Sequence, residues 1–114
     1  MNLGATLYVK NSVEAVEFYI EAFRMTLGYN AKNSDGSFLH AELLKGEESI
    51  FAVSENQDEE IIRSMLESKR PTMSYGINLD NDDELNHAYQ ILVEGGHIYE
   101  NWVRFLGVRA PLIL

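Results

Sequence analysis

The chain has no cysteine among its 114 residues, and it is poor in positive charge. The missing thiols exclude a disulfide scaffold, thiolate-bound zinc, an iron–sulfur cluster and thiol catalysis. Nine Lys and Arg residues stand against 18 Asp and Glu residues, so the formal net charge is −9. This balance disfavours nucleic acid and anionic membrane as partners, but a local pocket can still carry either sign.

Long hydrophobic runs are also missing. No run approaches the roughly 20 apolar residues that span a bilayer. The first ten residues, MNLGATLYVK, lack the basic-then-apolar pattern of a signal peptide. We therefore expect a cytoplasmic protein. A hydrophobic content of 46% and a charged content of 24% are ordinary for a globular domain.

The first half of the chain has the periodicities of one strand, one helix and three further strands. The predicted ranges are 5–11 for the first strand, 11–29 for the helix, and 29–33, 37–44 and 49–55 for the other strands. Asp-Gly between the second and third strands indicates a hairpin turn.

Both ends of the predicted helix carry local signals. Asn11 or Ser12 can cap its first turn, and Glu14 stands three residues after Asn11, as in a capping box. Gly28 is the natural stop, and Leu27 closes the apolar stripe. These signals predict a helix that begins near Asn11 and ends at Gly28.

The second half repeats the same order of elements. A polar helix predicted over 56–71 serves as a linker, and it is followed by a strand over 72–80, a helix over 81–96, and strands over 97–105 and 108–114. The repeat predicts an α+β fold with two βαβββ modules, of which the second lacks its last strand. Module one covers 1–55 and module two covers 72–114 of a single domain.

Three segments carry a resemblance to a known family: LYVKNSVEAVEFYIEAF (7–23), LHAELLKGEESIFAVSE (39–55) and GINLDNDDELNHAYQILVEGG (76–96). Together they resemble the vicinal oxygen chelate superfamily, which includes glyoxalases and bleomycin-resistance proteins. More narrowly they are similar to its PhnB-like branch, also labelled demethylubiquinone methyltransferase-like. The resemblance implies two curved, largely antiparallel half-sheets around a cavity, with the helices outside. It does not specify a reaction, because the superfamily includes several.

His40 and Glu42 are the main candidate site residues. They lie two apart in a predicted strand, so their side chains share a face. The residues alone leave four readings open: a metal site, an acid–base pair, the polar wall of a pocket, or a solvated surface. The resemblance places this face, with Tyr8 and Phe38, on the cavity side. It turns three apolar residues of the same strand towards the helix, namely Leu39, Ala41 and Leu43.

The resemblance also implies where a metal would bind. Its ligand positions fall at Gly4, near Ala52 and at Ser74, and the fourth falls on the missing last strand. The side chains present there offer no nitrogen or carboxylate donor, whereas a metal site needs several converging donors. We therefore expect neither a metal nor another cofactor.

The function expected first is metal-free binding of a small molecule by His40, Glu42 and Tyr8. One alternative is an enzyme of the lyase, isomerase or dioxygenase type, using His40 and Glu42 or an atypical metal. Another is a protein that sequesters an antibiotic. The apolar segment RAPLIL (109–114) predicts an unpaired strand edge, which favours a homodimer.

Overall fold

The computed structural model describes residues 1–67, 76–95 and 112–113. The chain divides into two compact units, Met1–Ser68 and Lys69–Leu114. The first unit contains β1 (Thr6–Val9), α1 (Ser12–Phe23), β2 (Thr26–Lys32), β3 (Phe38–Lys45), β4 (Glu48–Glu55) and α2 (Glu59–Glu67). The predicted α+β class is confirmed, as is the order of strand, helix and three strands in the first half.

The four strands form one mixed sheet in the order β1-β4-β3-β2. β1 pairs with β4 in parallel, and the other two pairings are antiparallel. Helix α1 packs on one face of this sheet. The buried hydrophobic residues between them include Val16, Ala22, Phe23, Ala41, Leu43, Phe51 and Val53.

Tyr19 of α1 belongs to the same packing layer. Its ring meets the ring of Phe51 edge-on, with 5.5 Å between centroids. Burial of the Tyr19 hydroxyl raises its pKa, because a phenolate loses more hydration than the neutral phenol does. The apolar stripe of α1 thus packs as its periodicity predicted.

The predicted end of α1 was wrong. The helix ends at Phe23, and Arg24 takes a left-handed conformation with φ 53°. The N–H of Met25 donates to the carbonyl of Ile20 at 3.1 Å, the six-to-one bond of a Schellman motif. Gly28, expected as the stop, lies in β2 instead. A Cβ at Gly28 would lie 2.9 Å from Cγ of Leu44, so close strand packing explains this glycine.

The predicted cap of α1 was wrong as well. Asn11 occupies the N-cap position with φ 62°, but its side chain makes no capping hydrogen bond. The carboxylate of Glu55, at the end of β4, accepts from the N–H of Asn11 at 3.0 Å and the N–H of Ser12 at 2.9 Å. It also accepts from the Ser12 hydroxyl at 2.9 Å. The helix is therefore capped by a residue more than 40 positions away.

A bulge in β3 overturns part of the predicted alternation. His40 pairs with Ala31 and Phe38 pairs with Lys32, so Leu39 is an extra residue between two consecutive pairs. Phe38, expected on the cavity side, is only 5% exposed, and Leu39, expected against the helix, is 61% exposed. The N–H of Phe38 donates to the hydroxyl of Ser12 at 2.9 Å. Ala41 and Leu43 are buried in the core, as predicted.

The second unit contains β5 (Gly76–Ile77), α3 (Asp82–Gly95) and β6 (Leu112–Ile113). β5 and β6 pair in antiparallel fashion. Asn81 caps α3, since its side-chain oxygen accepts from the N–H of Glu84 at 2.9 Å. The strand predicted over 97–105 and most of the segment expected to favour a homodimer lie outside the described residues. None of the helices in the described ranges is both long and apolar enough to cross a membrane.

Candidate functional site

The candidate site lies on the face of the first-unit sheet that is opposite α1, here called the distal face. The pairs Ala41–Val53 and Leu43–Phe51 belong to the core beneath α1. Side chains alternate along each strand, so the residues between them point the other way. The distal face therefore carries Thr6, Tyr8, His40, Glu42, Ala52 and Ser54.

His40 and Glu42 are neighbours on this face, as their spacing predicted. Nε2 of His40 lies 3.8 Å from Oε1 of Glu42, and the two side chains are 36% and 37% exposed. The distance is too long for a direct hydrogen bond. Each group therefore keeps hydrogen-bonding capacity for a third partner.

Small side chains of β4 lie between larger ones on the neighbouring strands. Ala52 is 6% exposed and Ser54 is 5% exposed. Ala52 pairs with Thr6 on β1 and with Glu42 on β3, and Ser54 pairs with Tyr8. Adjacent strands are about 4.8 Å apart, so β1 and β3 stand roughly 10 Å apart across β4. We call this set of residues the trough, with Ala52 and Ser54 as its floor, Thr6 and Tyr8 as one wall, and His40 and Glu42 as the other.

Two tyrosines lie on or beside the trough. Tyr8, predicted from the sequence, is 59% exposed. Tyr29 is 70% exposed, and its ring centroid lies 6.2 Å from that of His40. Sequence reasoning missed Tyr29 because the residue stood at the junction of the predicted helix 11–29 and the predicted strand 29–33. No glycine marks the real helix end at Arg24, so the local pattern held no signal that the strand begins at Thr26.

The donors present do not fit the metal site that the resemblance implies. Gly4 has no side chain and only open space where a Cβ would lie. Ala52 is a buried methyl group, and His40 and Glu42 beside it supply only two donor side chains. Within the described ranges, no three His, Asp or Glu side chains are grouped so that they could hold a metal ion. Ser74 lies outside those ranges.

A concave region lies beside the first turn of α1. It is an open groove of about 820 Å³ lined by residues that include Lys10, Glu14, Asp35 and Glu55. Glu55 is engaged in capping α1. Asp35 accepts from the hydroxyl and N–H of Ser37, and these bonds lower the pKa of the Asp35 carboxyl. Two carboxylates of this groove, those of Glu55 and Asp35, are thus already engaged in hydrogen bonds within the protein. The trough is therefore the stronger candidate site.

Comparisons of the chain with protein-family models, curated proteins and solved structures gave no match. The resemblance to the vicinal oxygen chelate superfamily therefore stays a prediction based on the three quoted segments.

Proposed function

We propose that this chain binds a small molecule in the trough of the distal face, without a metal. The observation that supports the proposal best is the contact between His40 and Glu42 beside the small residues of β4. The resemblance to the vicinal oxygen chelate superfamily supports the same location, because it places this face on the inside of a cavity.

The trough shares one feature with small-molecule sites. In such sites a few placed polar groups orient the ligand. Ala52 supplies apolar floor, and Tyr8 supplies an aromatic wall with a polar tip. His40 offers a donor and an acceptor when neutral, and Glu42 offers acceptors only. One polar edge of the ligand therefore hydrogen-bonds to His40 and Glu42, and the rest of the ligand packs against the other side chains of the trough.

A thermal-shift screen tests this proposal. A ligand present at 100 times its dissociation constant stabilises the folded state by about 2.7 kcal/mol, which raises the melting temperature of the full chain. We expect amines, acids, quinones or antibiotics that give such a shift to lose it in His40→Ala and in Glu42→Gln. Glu47→Gln is the matched control, because Glu47 is an exposed carboxylate in the turn after β3.

The outcome of the variants decides the location of the site. A ligand whose shift survives both trough variants binds elsewhere, and the proposal is then wrong. A shift that Glu47→Gln also abolishes reflects the loss of a surface charge, and it contradicts the proposal equally.

A further inference from the structure

We infer that the ligand of the trough is an organic cation, namely an amine or a quaternary ammonium compound with a flat or apolar body. This inference rests on the proposed function and adds the chemical class of the ligand. Three observations carry it: the sign of the charge in the trough, the placement of the basic residues, and the two exposed tyrosine rings.

Glu42 places one negative charge on the trough wall, with its carboxylate 37% exposed. Nε2 of His40 lies 3.8 Å from this carboxylate and offsets its charge only in the protonated form. An anionic ligand would bring a second negative charge towards the same wall, which costs energy unless a cation lies nearby. A cationic ligand instead brings an opposite charge to Glu42.

The basic residues described in the first unit lie outside the trough. Lys45 donates its ammonium group to the carbonyl of Phe23 at 2.8 Å. The ammonium nitrogen of Lys32 lies 5.4 Å from the ring centroid of the buried Phe38. The other three lie at the groove beside α1, directly after α1 and on α2: Lys10, Arg24 and Arg63. Within residues 1–67, none of the basic residues is among those that form the trough.

The tyrosines add a second attraction for a cation. The face of an aromatic ring is electronegative, and it attracts an ammonium group placed over it. Tyr8 stands on the β1 wall, and Tyr29 contacts His40 beside the β3 wall. Both rings are more than half exposed, so their faces are accessible to a ligand. The distal face thus offers a cation two exposed aromatic rings and one carboxylate, the groups that recognise quaternary ammonium compounds.

The exposed side chains of the two walls are the parts of the trough that a ligand can contact. Ala52 and Ser54 between them are buried, with 6% and 5% of their surface exposed. The spacing of roughly 10 Å across β4 accommodates a trimethylammonium group or one aromatic ring. Benzyltrimethylammonium, which contains both, is therefore a suitable probe.

The test compares three probes that share a phenyl ring and differ in charge. Benzyltrimethylammonium, benzyl alcohol and benzoate are titrated separately into the isotope-labelled full chain, and binding is followed by amide and side-chain NMR shifts. We expect the cation to bind at least tenfold more tightly than the other two, with shifts centred on Tyr8, Tyr29, His40 and Ala52. Glu42→Gln should weaken cation binding at least tenfold, and Glu47→Gln should leave it unchanged.

Several results would overturn the inference. Equal or tighter binding of benzoate or benzyl alcohol in the trough makes the cation class wrong and leaves small-molecule binding there intact. Binding of the cation with shifts confined to other surfaces, or no binding of any probe, also contradicts it. Tyr29→Leu provides a second variant, which should weaken cation binding without lowering the melting temperature, because Tyr29 is 70% exposed.

Discussion

Leu43 and Leu39 lie four residues apart on β3, yet Leu43 is fully buried and Leu39 is 61% exposed. Regular alternation would place both on the same face. The bulge at Leu39 breaks the alternation, and Ser12 takes up the N–H of the preceding residue, Phe38. One extra residue thus decides which leucine enters the core.

This difference is measurable as stability. We expect Leu43→Ala to lower the free energy of unfolding by about 2–5 kcal/mol, because it removes buried methyl groups and leaves a cavity. Leu39→Ala should change it by no more than about 0.5 kcal/mol, as is usual at exposed sites. Urea unfolding followed by circular dichroism compares the two variants. Equal losses would show that Leu39 also packs in the core.

Helix α1 is held at both ends by charged side chains from the sheet it packs on. Glu55, at the end of β4, accepts the first amide groups of the helix, and Lys45, at the end of β3, donates to the carbonyl of Phe23. A carboxylate at the N-terminus and an ammonium group at the C-terminus both match the helix dipole. The element is therefore oriented by contacts that its own sequence does not contain.

We expect Glu55→Gln to lower the free energy of unfolding by about 1.5–3 kcal/mol, the usual contribution of hydrogen bonds to a charged group. The amide keeps one acceptor oxygen and turns its NH2 group towards an N–H donor of α1, so it replaces only part of the bonding of the carboxylate. Thermal and urea unfolding measure the loss, and Glu47→Gln controls for the change in net charge. Similar stability of the two variants would rule out a capping role for Glu55.

The molecule as a whole carries twice as many acidic as basic side chains, 18 against nine. Like charges on a compact chain repel one another and destabilise the folded state. Salt shortens the range of this repulsion, from about 30 Å at 0.01 M to about 8 Å at 0.15 M ionic strength.

We therefore expect the melting temperature to rise when sodium chloride is raised over that range at neutral pH. This rise in melting temperature with salt should vanish near the pH at which acidic and basic charges balance. Differential scanning calorimetry at neutral pH and at that lower pH measures the melting temperature at each salt concentration. A melting temperature that falls with salt at neutral pH would mean that attractive pairs, such as Glu55 with α1, outweigh the repulsion.

The periodicity of the sequence alone determined several features of the first half of the chain. The order of strand, helix and three strands and the shared face of His40 and Glu42 both follow from local repeats of 3.6 and two residues. Composition alone excluded thiol chemistry. These features were predictable because each depends on residues that are neighbours in the chain.

The tertiary structure decided the rest. Glu55 caps a helix that begins more than 40 residues earlier, and the bulge at Leu39 follows from its pairing with β2. The early end of α1 places Tyr29 on β2, where its ring reaches His40. Each of these features depends on contacts between distant segments, which no local pattern encodes. The alternation of one strand placed His40 beside Glu42, but the packing of four strands placed small residues and tyrosines around them.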